Sequence, residues 1–165
     1  GVMTTPGSTE NPIDFKVLLT GYDSAFQRLS EAREAARTSG DASLLYIPLL
    51  ETLTWADVLE ERLGELLGQE WVDQLPARVH VLRDVVAGFR YARNSVHPSW
   101  ALAVCLDDKP NSFRDWCWRK TLPVGRPQPT NRAAYEKKLA GRALRHTFRD
   151  LHKLYNAAST KLGVK

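Results

Sequence analysis

The chain has 165 residues, 43% of them hydrophobic and 25% charged, with a formal net charge of +4, which suits one domain with a real core and leaves too little for two. Its two cysteines, Cys105 and Cys117, lie outside any C-x-x-C unit and have no histidines at zinc spacing, so neither a disulfide framework nor a structural metal site is indicated, and no cofactor is implied. No run approaches the roughly 18 apolar residues of a membrane span, and no basic stretch followed by an apolar one marks a secretory signal, so the expected location is the cytoplasm, with no membrane partner.

Gly1 and Val2 before Met3 read as a tag remnant, and "MTTPGSTENP" is polar and turn-rich. Residues 1–11 are therefore expected to be a disordered N-terminus, and residues 12–165 a single helical domain. Phe15, Leu18, Tyr22, Ala25, Leu29, Ala32 and Ala36 recur at steps of three and four, one stripe of a first helix that "TSGD" ends. A second helix follows, with Leu45, Leu49, Leu53, Ala56, Leu59 (or Glu60), Leu63 and Leu66 on its buried face; it either starts near Ile47 or bends at Pro48. Trp55 falls next to Ala56 and Leu59 and reads as core or dimer interface. After a short amphipathic piece, "EWVDQL", Pro76 opens a third helix that should stop near His97, because Pro98 disfavours helical geometry in the residue before it.

Residues 99–106, "SWALAVCL", are apolar throughout and must be buried, as helix or as strand. From Asp107 to Thr130 the composition turns to Pro, Gly, Asn and basic residues, a long Trp- and Pro-containing loop of a kind that usually has a function. The last helix keeps an alternating four and three spacing in Leu144, Phe148, Leu151, Tyr155, Ala158 and Leu162. The fold expected is all-α, a four-to-five-helix bundle with that loop before the last helix.

On a wheel at about 100° per residue, Arg90, Arg93, Asn94 and His97 fall within an arc of about 100° on the third helix, beside the arc of Leu82, Val85, Phe89, Ala92 and Val96. An imidazole exchanges a proton near neutral pH, and a neighbouring guanidinium holds a phosphate and stabilises the charge that builds on it. RNA carries its own nucleophile, the 2′-OH, so such a site needs no metal. The competing reading is a solvated helix end, with His97 capping the last carbonyls.

"RYARNSVHP" resembles the signature of the HEPN superfamily: an arginine, commonly followed by a polar residue such as Asn, and a histidine four to six residues further on near the end of a bundle helix. Two registers are open. Arg90 and His97 have six residues between them and fit the window; Arg93 carries the following Asn94 but has three residues before His97, one short. "IPLLETLTWADVLEERL" and "WCWRKTLPV…NRAAYEKKLAGRALRHTFRDLHKLY" are also similar to a group of helical actinobacterial and phage proteins without an established activity. The superfamily resemblance implies a homodimer whose paired motif helices form one cleft and cut RNA to a 2′,3′-cyclic phosphate. His97 would be general acid or base, Arg90 or Arg93 would hold the phosphate and Asn94 would orient one of them. Relatives of this kind include toxins paired with an antitoxin partner, antiviral effectors, and domains that only bind nucleotides or nucleic acid; a structural or partner-binding bundle remains the third reading.

In the loop, "FRDWCWRK" sets Trp116 and Trp118 among Arg114, Arg119 and Lys120, aromatics for stacking bases beside charges for phosphates. The weightier reading of the tryptophans is an anchor folded back over the core, with Arg119 and Lys120 left as RNA contacts. Charge is uneven along the chain: residues 1–108 carry 9 Lys and Arg against 16 Asp and Glu, residues 109–165 carry 14 against 3. Either the basic segment tracks a phosphate backbone, or acidic residues such as Glu60, Glu61 and Glu65 lie against the last helix and screen it. His80, His146 and His152 have no partner spacing that suggests chemistry.

Overall fold

The computed structural model describes residues 12–96, 103–107, 115–122 and 129–164. Helix α1, Ile13–Ser39, buries Phe15, Tyr22, Ala25, Leu29 and Ala36 and ends where Gly40 adopts φ 72° and returns its N–H to the Ala36 carbonyl at 2.7 Å. Asp41 then accepts from the N–H and hydroxyl of Ser43, which starts one 3-10 turn, Ala42–Leu45, leading into α2, Tyr46–Leu67. Pro48 thus sits in the first turn of α2, where its missing donor is not needed and no bend follows. The buried face of α2 is Leu49, Leu53, Ala56, Leu59, Leu63 and Leu66, so Leu59 rather than Glu60 faces the core. The segment Ala42–Leu67 is long and apolar enough to qualify as a membrane span by length and composition, which the search for apolar runs does not anticipate; here these leucines pack in the bundle.

The α1–α2 hairpin is drawn tight by shape. The Trp55 ring lies directly over Gly21: a Cβ there would come within 2.5 to 2.7 Å of three ring carbons. Arg28–Glu51 and Arg62–Asp14 ion pairs flank this contact along the hairpin.

Beyond α2, a 3-10 turn at Trp71–Gln74 and a second at Ala77–Leu82 precede α3, Arg83–Val96. The third helix therefore starts as expected after Pro76, but its first six residues are wound more tightly, with His80 Nε2 taking the Leu75 carbonyl at 2.7 Å. Helix α3 is buried on two sides. Phe89 meets Phe148 at 4.9 Å between ring centroids, and on the other side Tyr91 meets Tyr135 at 5.3 Å. Gly88 lets α4, Pro129–Lys138, come close, since a Cβ there would lie 3.4 Å from Ala134 O and Tyr135 Cα. Apolar spacing does not separate helix α4 from the loop and the last helix; it ends at Lys138, and Gly141, with φ 73°, turns the chain into α5, Leu144–Leu162. The all-α bundle thus has five helices.

Of the apolar stretch before the loop, residues 99–102 lie outside the described residues, and Val104–Leu106 form a strand, β1, with Val104 buried and Cys105 and Leu106 half-buried, paired antiparallel with β2, Trp116–Trp118, inside the expected loop. Cys105 and Cys117 face each other across this ribbon as free thiols, Cys117 buried and Cys105 half-buried. Trp118 is fully buried, its indole donating to Thr147 Oγ1 at 2.9 Å and its ring set edge-on to Phe89. The carboxylate of Asp115, just before β2, accepts from Arg33 of α1 and Arg145 of α5 and from the Trp116 N–H at 2.8 Å.

Two stability outcomes follow. Gly21→Ala should destabilise by about 1–3 kcal/mol, because Trp55 must leave its seat; Trp55→Leu should relieve part of that in a double-mutant cycle read by denaturant unfolding. Asp115→Ala should cost about 3 kcal/mol, since it strands two guanidiniums around a buried position, whereas Asp150→Ala, which loses only a surface pair, should stay within about 0.5 kcal/mol.

Candidate functional site

Helices α2 and α3 frame a cleft of about 740 Å³. On α2, Asp57, Glu60, Glu61 and Glu65 share one stripe at steps of three and four, and Gly64 in their midst has no atom within 4 Å of its Cβ position, which keeps the wall open. On α3, Arg90, Arg93 and Asn94 face them, again at steps of three and four, because the other two sides of this helix are buried. Periodicity on each helix thus delivers two complementary rows.

Glu60 joins the rows. One carboxylate oxygen accepts from Arg90 and the other from Arg93 Nη2 at 2.6 Å; Arg93 also reaches Asp57 at 3.2 Å. The two arginines differ in environment: the Arg93 side chain is 13% exposed and Glu60 11%, while Arg90 is 40% exposed. A desolvated guanidinium between two carboxylates is held in one geometry; a half-solvated one at the rim can still reach a ligand. The lining as a whole carries five carboxylates, with Glu70 the fifth, against two guanidiniums. Beneath it the Tyr155 phenol is pushed well above its ordinary pKa by burial, with Arg93 opposing and Glu60 and Asp57 adding to the rise, so it stays protonated and takes no part in proton exchange.

Of the predicted catalytic residues, Arg90, Arg93 and Asn94 are brought together at this cleft. His97 follows α3 directly in sequence and lies outside the described residues, as does Arg114. Arg119 and Lys120 are exposed at the end of β2 and do not line the cleft. Trp116 and Trp118 are buried in the core and present no ring face to solvent; the Trp118 indole donates to a side chain, Thr147 Oγ1, rather than to backbone, and the Trp116 indole N–H has no hydrogen-bond partner among the described residues. Screening of α5 by α2 acids is also corrected: Glu60 turns to α3 and Glu65 to Arg62 of its own helix. Among the described residues no group of three or more His, Cys, Asp and Glu is arranged to hold a metal ion. Asp57 and Glu60 are the site residues that motif reading missed; the signal that points to them is the acidic stripe of α2 matching the basic stripe of α3. No family model, curated protein or solved structure matches this chain.

Glu60→Ala should destabilise the fold by about 2 kcal/mol, the usual consequence of leaving partly buried guanidiniums without an acceptor. Arg93→Ala should cost more than Arg90→Ala in the same denaturant titration, because water already solvates Arg90.

Proposed function

We propose that the chain is a metal-independent endoribonuclease of the HEPN type, active as a homodimer. The observation that carries this reading is the Glu60 fork, which fixes Arg93 and presents Arg90 at the rim of a cleft, at the end of the helix that His97 follows. The exposure difference supports the wider register. Arg90, six residues before His97 by count of those between, contacts the scissile phosphate; Arg93, with Glu60 and Asp57, is a positioning residue; His97 moves the proton of the 2′-OH or of the leaving 5′ oxygen. Attack of the 2′ oxygen on phosphorus breaks the P–O5′ bond and leaves a 2′,3′-cyclic phosphate and a 5′ hydroxyl. A two-fold axis would bring a second histidine to the same RNA.

A second reading, a nucleic-acid binder without cleavage, is favoured by one observation: the acidic majority in the cleft lining opposes entry of a phosphate, and Glu60 already occupies both guanidiniums. Cleavage in the presence of EDTA separates the two. Purified protein should cut single-stranded RNA to cyclic-phosphate ends, detected by mass spectrometry, and His97→Ala should lose roughly 10²–10⁴-fold of the rate. Equal rates in both proteins would assign the cleavage to a contaminant; RNA binding with no cutting would establish the binder. Arg90→Ala should slow cutting with little change in unfolding midpoint, whereas Arg93→Ala should lower both.

A further inference from the structure

A second surface is defined by charge that the fold leaves unpaired. Residues 109–165 carry 14 Lys and Arg against 3 Asp and Glu, and each of those acids is taken up locally. Asp115 is held by Arg33 and Arg145, Glu136 by Arg132 at 3.0 Å and Asp150 by Lys153 at 3.9 Å. Around the start of α5, Arg119, Lys120, Arg142 and Arg149 are exposed, and no carboxylate among the described residues pairs with any of them.

Backbone pairing gathers three of these four, Arg119, Lys120 and Arg142. The Trp118 N–H donates to the Arg142 carbonyl at 3.0 Å and the Gly141 N–H to the Trp118 carbonyl at 2.9 Å, which sets Arg119 and Lys120 beside residues 141 and 142. The Lys120 stem passes 3.6 to 3.8 Å from the Cβ position of Gly141, and Arg119 fixes its Nε on the Val104 carbonyl at 3.2 Å. Arg149 lies one turn beyond Arg145 on α5, with His146 between them. The imidazole of His146 is held below its ordinary pKa by desolvation first and then by the Arg145 and Arg149 guanidiniums, with the Asp115 and Asp150 carboxylates opposing. Among the described residues, none of the large exposed apolar side chains, Ile13, Val17, Leu44, Ile47 and Val81, belongs to this surface.

We propose that Arg119, Lys120, Arg142, His146 and Arg149 form the docking surface for the phosphate backbone of single-stranded RNA. Exposed guanidiniums without internal carboxylates bind phosphates bidentately and release counterions as they do so. The surface also adjoins the motif segment: the chain leaves α3 at Val96 and is next described at Ala103, whose carbonyl accepts from the Arg119 N–H at 2.8 Å. Five residues lie between His97 and Ala103, at most about 21 Å of chain, a distance a few nucleotides can bridge. That the polyanion is RNA rests on the nuclease reading; the surface itself does not.

Binding by His97→Ala protein separates the two ideas, because it asks nothing of catalysis. A labelled single-stranded RNA of roughly 20 nucleotides should bind with a steep salt dependence, read by fluorescence anisotropy. Arg142→Ala/Arg149→Ala should weaken binding roughly 25-fold at 0.1 M salt and flatten the log–log salt slope by about 1.4, while a Lys16→Ala/Lys161→Ala control should behave as the parent. The His146 pKa, followed by NMR, should rise when RNA binds. Parent-like RNA affinity in Arg142→Ala/Arg149→Ala, with the unfolding midpoint unchanged, overturns the proposal. So does capture by vesicles containing phosphatidylserine without RNA binding. Loss of cleavage in otherwise RNA-binding protein leaves this surface standing and removes only the nuclease.

Discussion

Two carboxylates, each clamping two arginines, organise this molecule. Asp115 ties α1 and α5 to the start of the ribbon, and Glu60 ties α2 to two positions of α3. Both are largely withdrawn from water, and a charge in that position is tolerable only when its acceptor capacity is filled. Each carboxylate has two oxygens and meets two guanidiniums, so the requirement is met without water. The stabilisation gained relative to an apolar core is small. What these clamps provide is uniqueness: α3 cannot slide by one turn against α2 without leaving Glu60 and Arg93 facing the wrong partners.

The ribbon depends on the same logic. Residues 103–107 and 115–122 contain little helical preference and one short pair of strands, too small to be stable alone. Its stability comes from Trp118, buried against Phe89 and Phe148 with its N–H satisfied by Thr147, and from the Asp115 clamp at its edge. Thr147 in turn donates to the Leu144 carbonyl at 2.9 Å, so the indole's hydrogen bond is part of the first turn of α5. The ribbon and α5 therefore order together, and the basic side chains carried by both acquire a common geometry.

Much of this was legible before any coordinates. Stripes at steps of three and four name the apolar buried face of α2 in full; on α1 Leu18 and Ala32 are only half-buried, and on α5 Leu162 is half-buried while buried Leu154 and Ala157 fall outside the stripe, because α5 buries a wider face than one seam. Helix α4 was hidden: its buried residues are few, and Gly141 interrupts what otherwise reads as one basic segment. The strands were ambiguous because three apolar residues satisfy either period. The partner of Glu60 was illegible for another reason. Acidic α2 and two basic segments are all visible in the sequence, but charge patterning leaves open whether the acids screen α5 or the basic segment tracks a phosphate backbone. Helix packing decides against the screening, by placing α3 beside α2 and letting the local pair prevail over the larger but more distant charge.

That local choice also sets the electrostatics of the whole surface. Had the α2 acids paired with α5, the molecule would carry little field at either place. Because Glu60 is spent on α3 and Glu65 on Arg62, the acids of α2 stay at the cleft, and Arg149 of α5, unlike Arg145 and Lys153, meets no carboxylate among the described residues. A polyanion approaching this protein is thus repelled at the cleft and attracted at the start of α5. Two unit charges 4 Å apart interact by about 4 kcal/mol at the effective dielectric of a protein surface, so a phosphate brought to Arg90 with Glu60 in place meets an opposing interaction as large as the one it gains. For the proposed nuclease, chemistry at the α3 end would therefore need binding energy from elsewhere on the same RNA, and the exposed Arg119, Lys120, Arg142 and Arg149 are the groups that would supply it.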